Sequence, residues 1–315
     1  MKPDVLVAYP LRPRQMEMLE KTYTVHRLDL LKDEAREAML AEVGPRCTAM
    51  VVNGHVAIDD AFLAKLPALR IAACSSAGFD QMDVAAMTRR GITLTNTSDV
   101  LLDDVADMAL LLMLAARRRL VVGDRYVRSG DWGRKGMMPL TTSTSGKKAG
   151  IVGLGRIGLA VAQRCEAFGL TIGYSGRSKK AGNDYAYFDD PVKLAAWADI
   201  LIVATPGGAE TEKLISADVL DALGPDGSLV NISRGTVVDE PALIRALQEG
   251  RIASAGLDVY LNEPNPDPAF AALDNVVLYP HHASGTEETR DRMAQLVIDN
   301  LAAFFAGKPL LTPVN

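Results

Sequence analysis

The residues of this chain best equipped for chemistry sit where short apolar runs end. His281 and His282 follow Leu278-Tyr279-Pro280, Arg234 closes Val230-Asn231-Ile232-Ser233, and Glu263 follows Leu257-Asp258-Val259-Tyr260. An imidazole can give a proton to a developing alkoxide, and a guanidinium presents a fork of donors that fits a carboxylate. A carboxylate beside an imidazole holds its orientation and favours its protonated form. With a hydride source, those three roles suit reduction of a 2-keto acid. Each residue also has a plainer reading as the exposed polar end of a turn. Spacing alone neither brings the three together nor chooses between His281 and His282. Of the other histidines, His26 reads as a surface or partly buried residue. His55, in Val52-Asn53-Gly54-His55, is equally compatible with a substrate hydroxyl contact and with facing solvent.

A hydride source is suggested by Gly153-Leu154-Gly155-Arg156-Ile157-Gly158, set between the strand pattern Ala149-Gly150-Ile151-Val152 and a helical pattern from Leu159. In that setting Gly153 permits a tight turn, Gly155 lets a pyrophosphate approach the backbone, and Gly158 lets the helix pack against the strand. The helix N-terminus then faces the phosphate charge. The segment reads as a nicotinamide dinucleotide loop. An NAD site usually places an acid about twenty residues further on, at the ribose 2′-hydroxyl. Here that position carries Tyr174-Ser175-Gly176-Arg177-Ser178-Lys179-Lys180, with no acid in it. Arg177 and Ser178, with Lys179 nearby, would suit a 2′-phosphate, with Gly176 counted among the cofactor-binding residues, so NADP(H) is the expected cofactor; a solvated basic turn is the alternative.

The elements that must position these residues follow from the hydrophobic pattern. Val5–Ala8, Ala49–Val52 and Arg70–Cys74 read as buried strands, with helices over Arg14–Glu20, Lys32–Glu42 and Asp59–Lys65 between them, and residues 91–96 add another strand. One long helix is expected over Asp99–Arg119, with acids at its start and Arg117-Arg118-Arg119 as a solvated or helix-ending cluster. A Gly-, Ser- and Thr-rich loop or arm follows from Ser129 to Gly146. A second alternating series starts at Lys148, with strands at Thr171–Tyr174, Ile200–Ala204, Ser228–Ile232, Ala253–Val259 and Val276–Tyr279, and a last helix runs from about Glu287 to Ala306. Two such series in 315 residues imply an α/β chain of two doubly wound parallel-sheet domains.

Composition narrows the function class. A net charge of -5 offers no basic footprint for nucleic acid and no polybasic stretch for a membrane surface. Three scattered cysteines, Cys47, Cys74 and Cys165, have no metal-ligand spacing and fit a reducing compartment, with Cys74 read as a small buried hydrophobe. The N-terminus carries no signal-peptide pattern, and Met108–Ala116 is roughly half of a membrane span. The expectation is a cytoplasmic protein with no bound metal.

The chain resembles the D-isomer-specific 2-hydroxyacid dehydrogenases, and within them the glyoxylate/hydroxypyruvate reductase branch. The resemblance covers nearly the whole chain. It rests on Ser76-Ala77-Gly78-Phe79-Asp80, Gly91-Ile92 with Asn96, Val105-Ala106-Asp107, the glycine loop, Asn231-Ile232-Ser233-Arg234-Gly235, Gly256-Leu257-Asp258-Val259 with Glu263-Pro264, and Pro280-His281. It implies that Arg234 binds the substrate carboxylate and carbonyl, that Glu263 orients the histidine, and that His281, directly after Pro280, is the acid. The amides of Ala77 and Gly78 would hold the carboxylate. Ala204-Thr205-Pro206, Ile232, Asp258, Ser284 and Gly285 resemble cofactor contacts. Asp107 stands where the family more often has Glu. The resemblance further implies a Rossmann-type cofactor domain, 99–285, inserted in a flavodoxin-like substrate domain, 1–98 and 286–315. A helix and arm at about 99–146 would pair the subunits of a homodimer. Glyoxylate and hydroxypyruvate are the expected substrates; 2-ketogluconate or hydroxyphenylpyruvate is the alternative. A dinucleotide-sensing corepressor is the reading from another class.

Overall fold

Apolar runs alternating with amphipathic helices build two separate parallel sheets. The computed structural model describes residues 2–315, which divide into two compact units, 2–101 with 284–315 and 102–283. In the first unit the strands are β1 Asp4–Val7, β2 Thr24–Arg27, β3 Ala49–Val52, β4 Ile71–Cys74 and β5 Thr93–Thr95. They lie in the order β2-β1-β3-β4-β5 with every pairing parallel. β3 and β4 are buried along their whole length, as strands covered on both faces must be. The covering helices include Pro13–Thr22, Asp33–Val43 and, from the other end of the sequence, Glu287–Phe305. Beyond that helix the tail stays with this unit. Asn300, buried, accepts the amides of Leu311 and Thr312, and Val314 donates to Leu94. Asn315 caps the Leu94 amide with its side chain.

The second unit holds β6 Lys148–Val152, β7 Thr171–Ser175, β8 Ala186–Phe188, β9 Ile200–Val203, β10 Ser228–Asn231, β11 Ser254–Leu257 and β12 Val276–Leu278. Their order is β12-β11-β10-β9-β6-β7-β8, again all parallel. Strand order reverses between β6 and β9, which leaves a crevice beyond their carboxyl ends, the usual ligand position in such sheets. Both units therefore have the expected α/β class. Among the described residues, no helix is long and apolar enough to cross a membrane.

Several sequence expectations are corrected. The helix expected over Asp99–Arg119 is a 3-10 turn at Ser98–Val100, a helix at Leu102–Arg117 and a separate helix at Leu120–Arg128. Arg119, at φ +50°, breaks it. The 3-10 turn packs on Glu287–Phe305, so residues 99–101 belong to the first unit, as do Ser284 and Gly285. Of the two readings of the arginine cluster, the helix-ending one holds for Arg117, the last residue of its helix; it is 5% exposed rather than solvated and donates to Ser228 Oγ and the Ser143 carbonyl, tying the helix end to β10 and the arm. The arm is not all loop, since Asp131–Lys135 is helical. The edge strands β2 and β8 were not expected. His26, on β2, pairs with Asp4 at 2.6 Å. All three cysteines are buried free thiols.

Candidate active site

The carboxyl ends of β6, β7, β9, β10, β11 and β12 carry nearly every candidate residue of the second unit. Gly153, at φ +95°, turns the chain directly after β6. A Cβ there would lie 2.8 Å from the Thr205 backbone, so only glycine lets the Ala204-Thr205-Pro206 segment beyond β9 approach the loop. Gly158 is buried, and a Cβ on it would lie 2.1 Å from the Gly153 carbonyl oxygen. Above Gly155 there is open space, with no heavy atom within 4 Å of a Cβ position. The helix Arg156–Ala167 starts at that point, its N-cap residue Gly155 making no side-chain cap. The residues present thus fit a dinucleotide: a helix N-terminus with an open approach at Gly155 and a turn closed tightly at Gly153 and Gly158. Leu154 and Ile232 are buried and form apolar footing; Arg156 is exposed and Ile157 half-buried. Gly176, Arg177 and Ser178 follow β7 as an exposed turn.

Beyond β12 the backbone is strained at one position. His281 has φ +48°, which costs a side-chain-bearing residue about 1–3 kcal/mol. Asp258, at the end of β11 and 1% exposed, holds it there. Its carbonyl accepts the His281 amide at 2.7 Å, and its carboxylate oxygens accept the amides of His282 and Ala283 at 2.8 and 3.2 Å. Burial pushes the Asp258 carboxyl up from the ordinary range, while those two amides and the His281 charge oppose it. Hydrogen bonds to a charged acceptor are worth about 1.5–3 kcal/mol each, enough to offset the strain. Both carboxylate oxygens of Asp258 are therefore engaged by this turn.

The structure brings Glu263 and His281 together: Glu263 Oε2 lies 2.6 Å from His281 Nδ1. The other carboxylate oxygen accepts the Tyr260 amide at 3.0 Å. Burial would raise the Glu263 carboxyl, but the bonds from His281 and Tyr260, with the charges of His281 and Arg234, hold it below the usual value of 4.5. Glu263 thus fixes the ring through Nδ1. The side chains of His281 and Glu263 are 32% and 28% exposed, open enough for a small molecule to reach.

Arg234 leaves β10 through a loop fixed by Asn231, whose side chain accepts the Ser233 amide and donates to the Arg234 carbonyl. At the next residue, a Cβ on Gly235 would sit 1.9 Å from the Tyr260 carbonyl carbon. The Arg234 loop and the Glu263 loop are thus pressed backbone to backbone. Glu240, 6% exposed, grips the Leu261 amide at 2.9 Å. The Tyr260 hydroxyl donates to the carbonyls of Leu257 and Tyr279. Burial raises that phenol, keeping its proton on. These supports of Glu263 and His281 escaped the sequence reading. Asn231 and Asp258 stood in quoted motifs, but Glu240 and Tyr260 gave no signal beyond their proximity to them.

The first unit carries its own loop beyond β4. Ser76 Oγ accepts the Gly54 amide and donates to the Gly78 carbonyl, and Asn96 donates to the Ala77 carbonyl. With those carbonyls turned inward, the amides of Ala77 and Gly78 donate to no other atom among the described residues. Both residues are partly exposed, so these amides are open to solvent or to an anion. His55 is exposed beside this loop.

Comparison with known proteins gives one consistent result. Residues 110–283 match the model of the D-isomer specific 2-hydroxyacid dehydrogenase NAD binding domain. The chain is 47% identical over 310 residues to a hydroxyphenylpyruvate reductase of Plectranthus scutellarioides, covering 98% of each. It is 44% identical over 313 residues to a 2-ketogluconate reductase of Gluconobacter oxydans, covering 99% of each. An NADPH-dependent glyoxylate/hydroxypyruvate reductase of Sinorhizobium meliloti, solved with NADP and malonate, superposes with a TM-score of 0.90 at 41% identity, covering 100% of this chain and 97% of that one.

The depressed Glu263 carboxyl has a measurable consequence. Its folded-state value lies below the unfolded one, so its contribution to stability is present above about pH 4.5 and is lost as pH falls through the folded value. Glu263→Gln should therefore lower the thermal midpoint at pH 7, with the gap to the parent closing in steps from pH 5 to pH 3. A gap that stays constant across that range would count against an ionised Glu263 in the pair.

Proposed function

This chain belongs to the D-isomer-specific 2-hydroxyacid dehydrogenase family, and on that footing we propose that it reduces small 2-keto acids, glyoxylate and hydroxypyruvate first among them, with NADPH. The observation that carries the reading is the 2.6 Å contact between Glu263 and His281 at the same carboxyl end of the sheet as the dinucleotide loop.

The geometry supports the following division of roles. The loop from Gly153 to Gly158, the segment Ala204-Thr205-Pro206 and Ile232 would hold the dinucleotide, with Gly176, Arg177 and Ser178 at its ribose phosphate. Ser284 and Gly285 remain proposed contacts, and Asp258 acts on the cofactor side through the turn it holds. When bound, the nicotinamide supplies a hydride to the carbonyl carbon. Arg234 offers its fork to the carboxylate and carbonyl of the keto acid. His281 gives the proton on Nε2 to the carbonyl oxygen as negative charge develops there. Glu263 keeps the ring oriented and balances its charge. Fixed donors around a developing alkoxide, together with orientation of the reactants, supply most of the rate. Product 2-hydroxy acid leaves with a neutral imidazole behind it, which recovers its proton from solvent.

We also propose a homodimer formed through the arm. Val121, Val127, Trp132, Met137 and Leu140 are 45%, 58%, 61%, 84% and 93% exposed within one stretch of the second unit, an apolar display that water does not favour.

Four measurements bear on these readings. His281→Ala should cut kcat for glyoxylate and hydroxypyruvate by at least about 10²-fold while leaving NADPH affinity near that of the parent; near-normal turnover would remove His281 from the role. The same assay run with 2-ketogluconate and hydroxyphenylpyruvate ranks the larger acids, and a higher kcat/KM for either would displace the smaller substrates. With the cofactor varied instead, NADPH should outperform NADH, and Arg177→Ala should erode that preference about 10- to 100-fold, the worth of a charge-assisted hydrogen bond. A parent enzyme that favours NADH overturns the cofactor assignment. Light scattering of the purified chain should give twice the monomer mass, falling toward one monomer for Leu140→Asp with Trp132→Asp.

A further inference from the structure

The turn after β7 is held far more firmly than a solvated loop needs to be. Tyr174 on β7 and Tyr187 on β8 are paired directly across the two strands, with ring centroids 5.4 Å apart. The Lys180 amide donates to the Tyr174 hydroxyl at 2.7 Å, and the Tyr187 hydroxyl donates to the Gly176 carbonyl at 3.1 Å. One cross-strand tyrosine pair therefore pins both ends of the segment from Gly176 to Lys180. Further along, Asn183 donates to the Lys180 carbonyl and accepts the Tyr185 amide. The Tyr185 hydroxyl reaches Glu166 on the helix that follows the glycine loop. The backbone is thus tied down on both sides of the turn. Arg177, Ser178 and Lys179, by contrast, are exposed and their side chains have no hydrogen-bond partner among the described residues.

An anchored backbone with three free donor side chains is an arrangement for receiving an anion. A flexible turn would have to be ordered when the anion arrives, and that ordering would subtract from affinity. We propose that Tyr174 and Tyr187 are the positioning residues for cofactor choice, holding the turn in the shape that lets Arg177, Ser178 and Lys179 engage a 2′-phosphate. The inference rests on the NADPH reading above. Its distinctive content is that the preference depends on two hydroxyls that touch no part of the cofactor. Tyr187 lies on the edge strand and is half-buried, so its hydroxyl can be removed while the ring stays packed on Tyr174.

The test uses the full chain and two probes without the nicotinamide half, adenosine 2′,5′-bisphosphate and adenosine 5′-monophosphate, titrated calorimetrically. The parent should bind the bisphosphate more tightly; equal affinity would overturn the NADPH reading itself. In Tyr187→Phe the bisphosphate should weaken about three- to tenfold, the worth of one net hydrogen bond, with the monophosphate unchanged. KM for NADPH should rise in the same proportion at unaltered kcat. Tyr174→Phe, which takes away the acceptor of the Lys180 amide while keeping the ring, should act in the same direction. If the parent prefers the bisphosphate but both variants keep that preference intact, the tyrosines do not set cofactor choice. A loss that falls equally on the two probes would make them merely structural and would also overturn the proposal.

Discussion

The buried carboxylate of Asp258 is the constraint around which the candidate active site is arranged. A carboxylate that is 1% exposed must be compensated, and here the compensation comes from backbone amides of the turn after β12. Those amides are available only while His281 occupies a conformation that side-chain-bearing residues avoid. Each element therefore requires the other. Asp258 avoids an unsatisfied charge through the strained turn, and the turn is kept in place by Asp258. The imidazole consequently projects from a backbone with very little freedom, which is what a group that must meet a small substrate reproducibly requires.

The same economy extends to Glu263. Its carboxylate faces His281 on one side and the Tyr260 amide on the other, so the loop that carries it is also partly held by it. Glu240 takes the next amide, and Gly235 allows the Arg234 loop to lie directly on that peptide. A carboxylate, a guanidinium and an imidazole on three different strand ends are thus referenced to a single peptide unit, Tyr260-Leu261. Displacing it would move Arg234 and Glu263 together, a form of coupling that rigid-element sites commonly use.

Much of this was legible in the sequence because it is local. The glycine loop announces itself by a strand before it and a helix after it, and the buried strands by unbroken apolar runs. Arg234, Glu263 and His281 could be nominated because each follows such a run. Their support could not. Whether Asp258 faces a ligand or two amides depends on residues more than twenty positions away, and Glu240, at the start of a helix, meets Leu261 only once the loop after β11 has folded onto it. The failures have similar causes. Arg117 reads as one of three surface arginines until β10 presents Ser228 to it, and the break at Arg119 has neither glycine nor proline to mark it. β2 and β8 lie at sheet edges, where half-exposed residues dilute the alternation that reveals a strand.

The first unit is assembled from two stretches of chain that are far apart in sequence. Its sheet is complete by β5, yet Leu94 waits for Val314 and Asn315, and one face waits for Glu287–Phe305. A ribosome makes residues 102–283 in between. The second unit can therefore bury its core while the first, already synthesised up to residue 101, still exposes an uncovered sheet. For the length of that interval the earlier-made unit keeps apolar surface open that only the last residues of the chain can cover, the kind of exposure that favours aggregation.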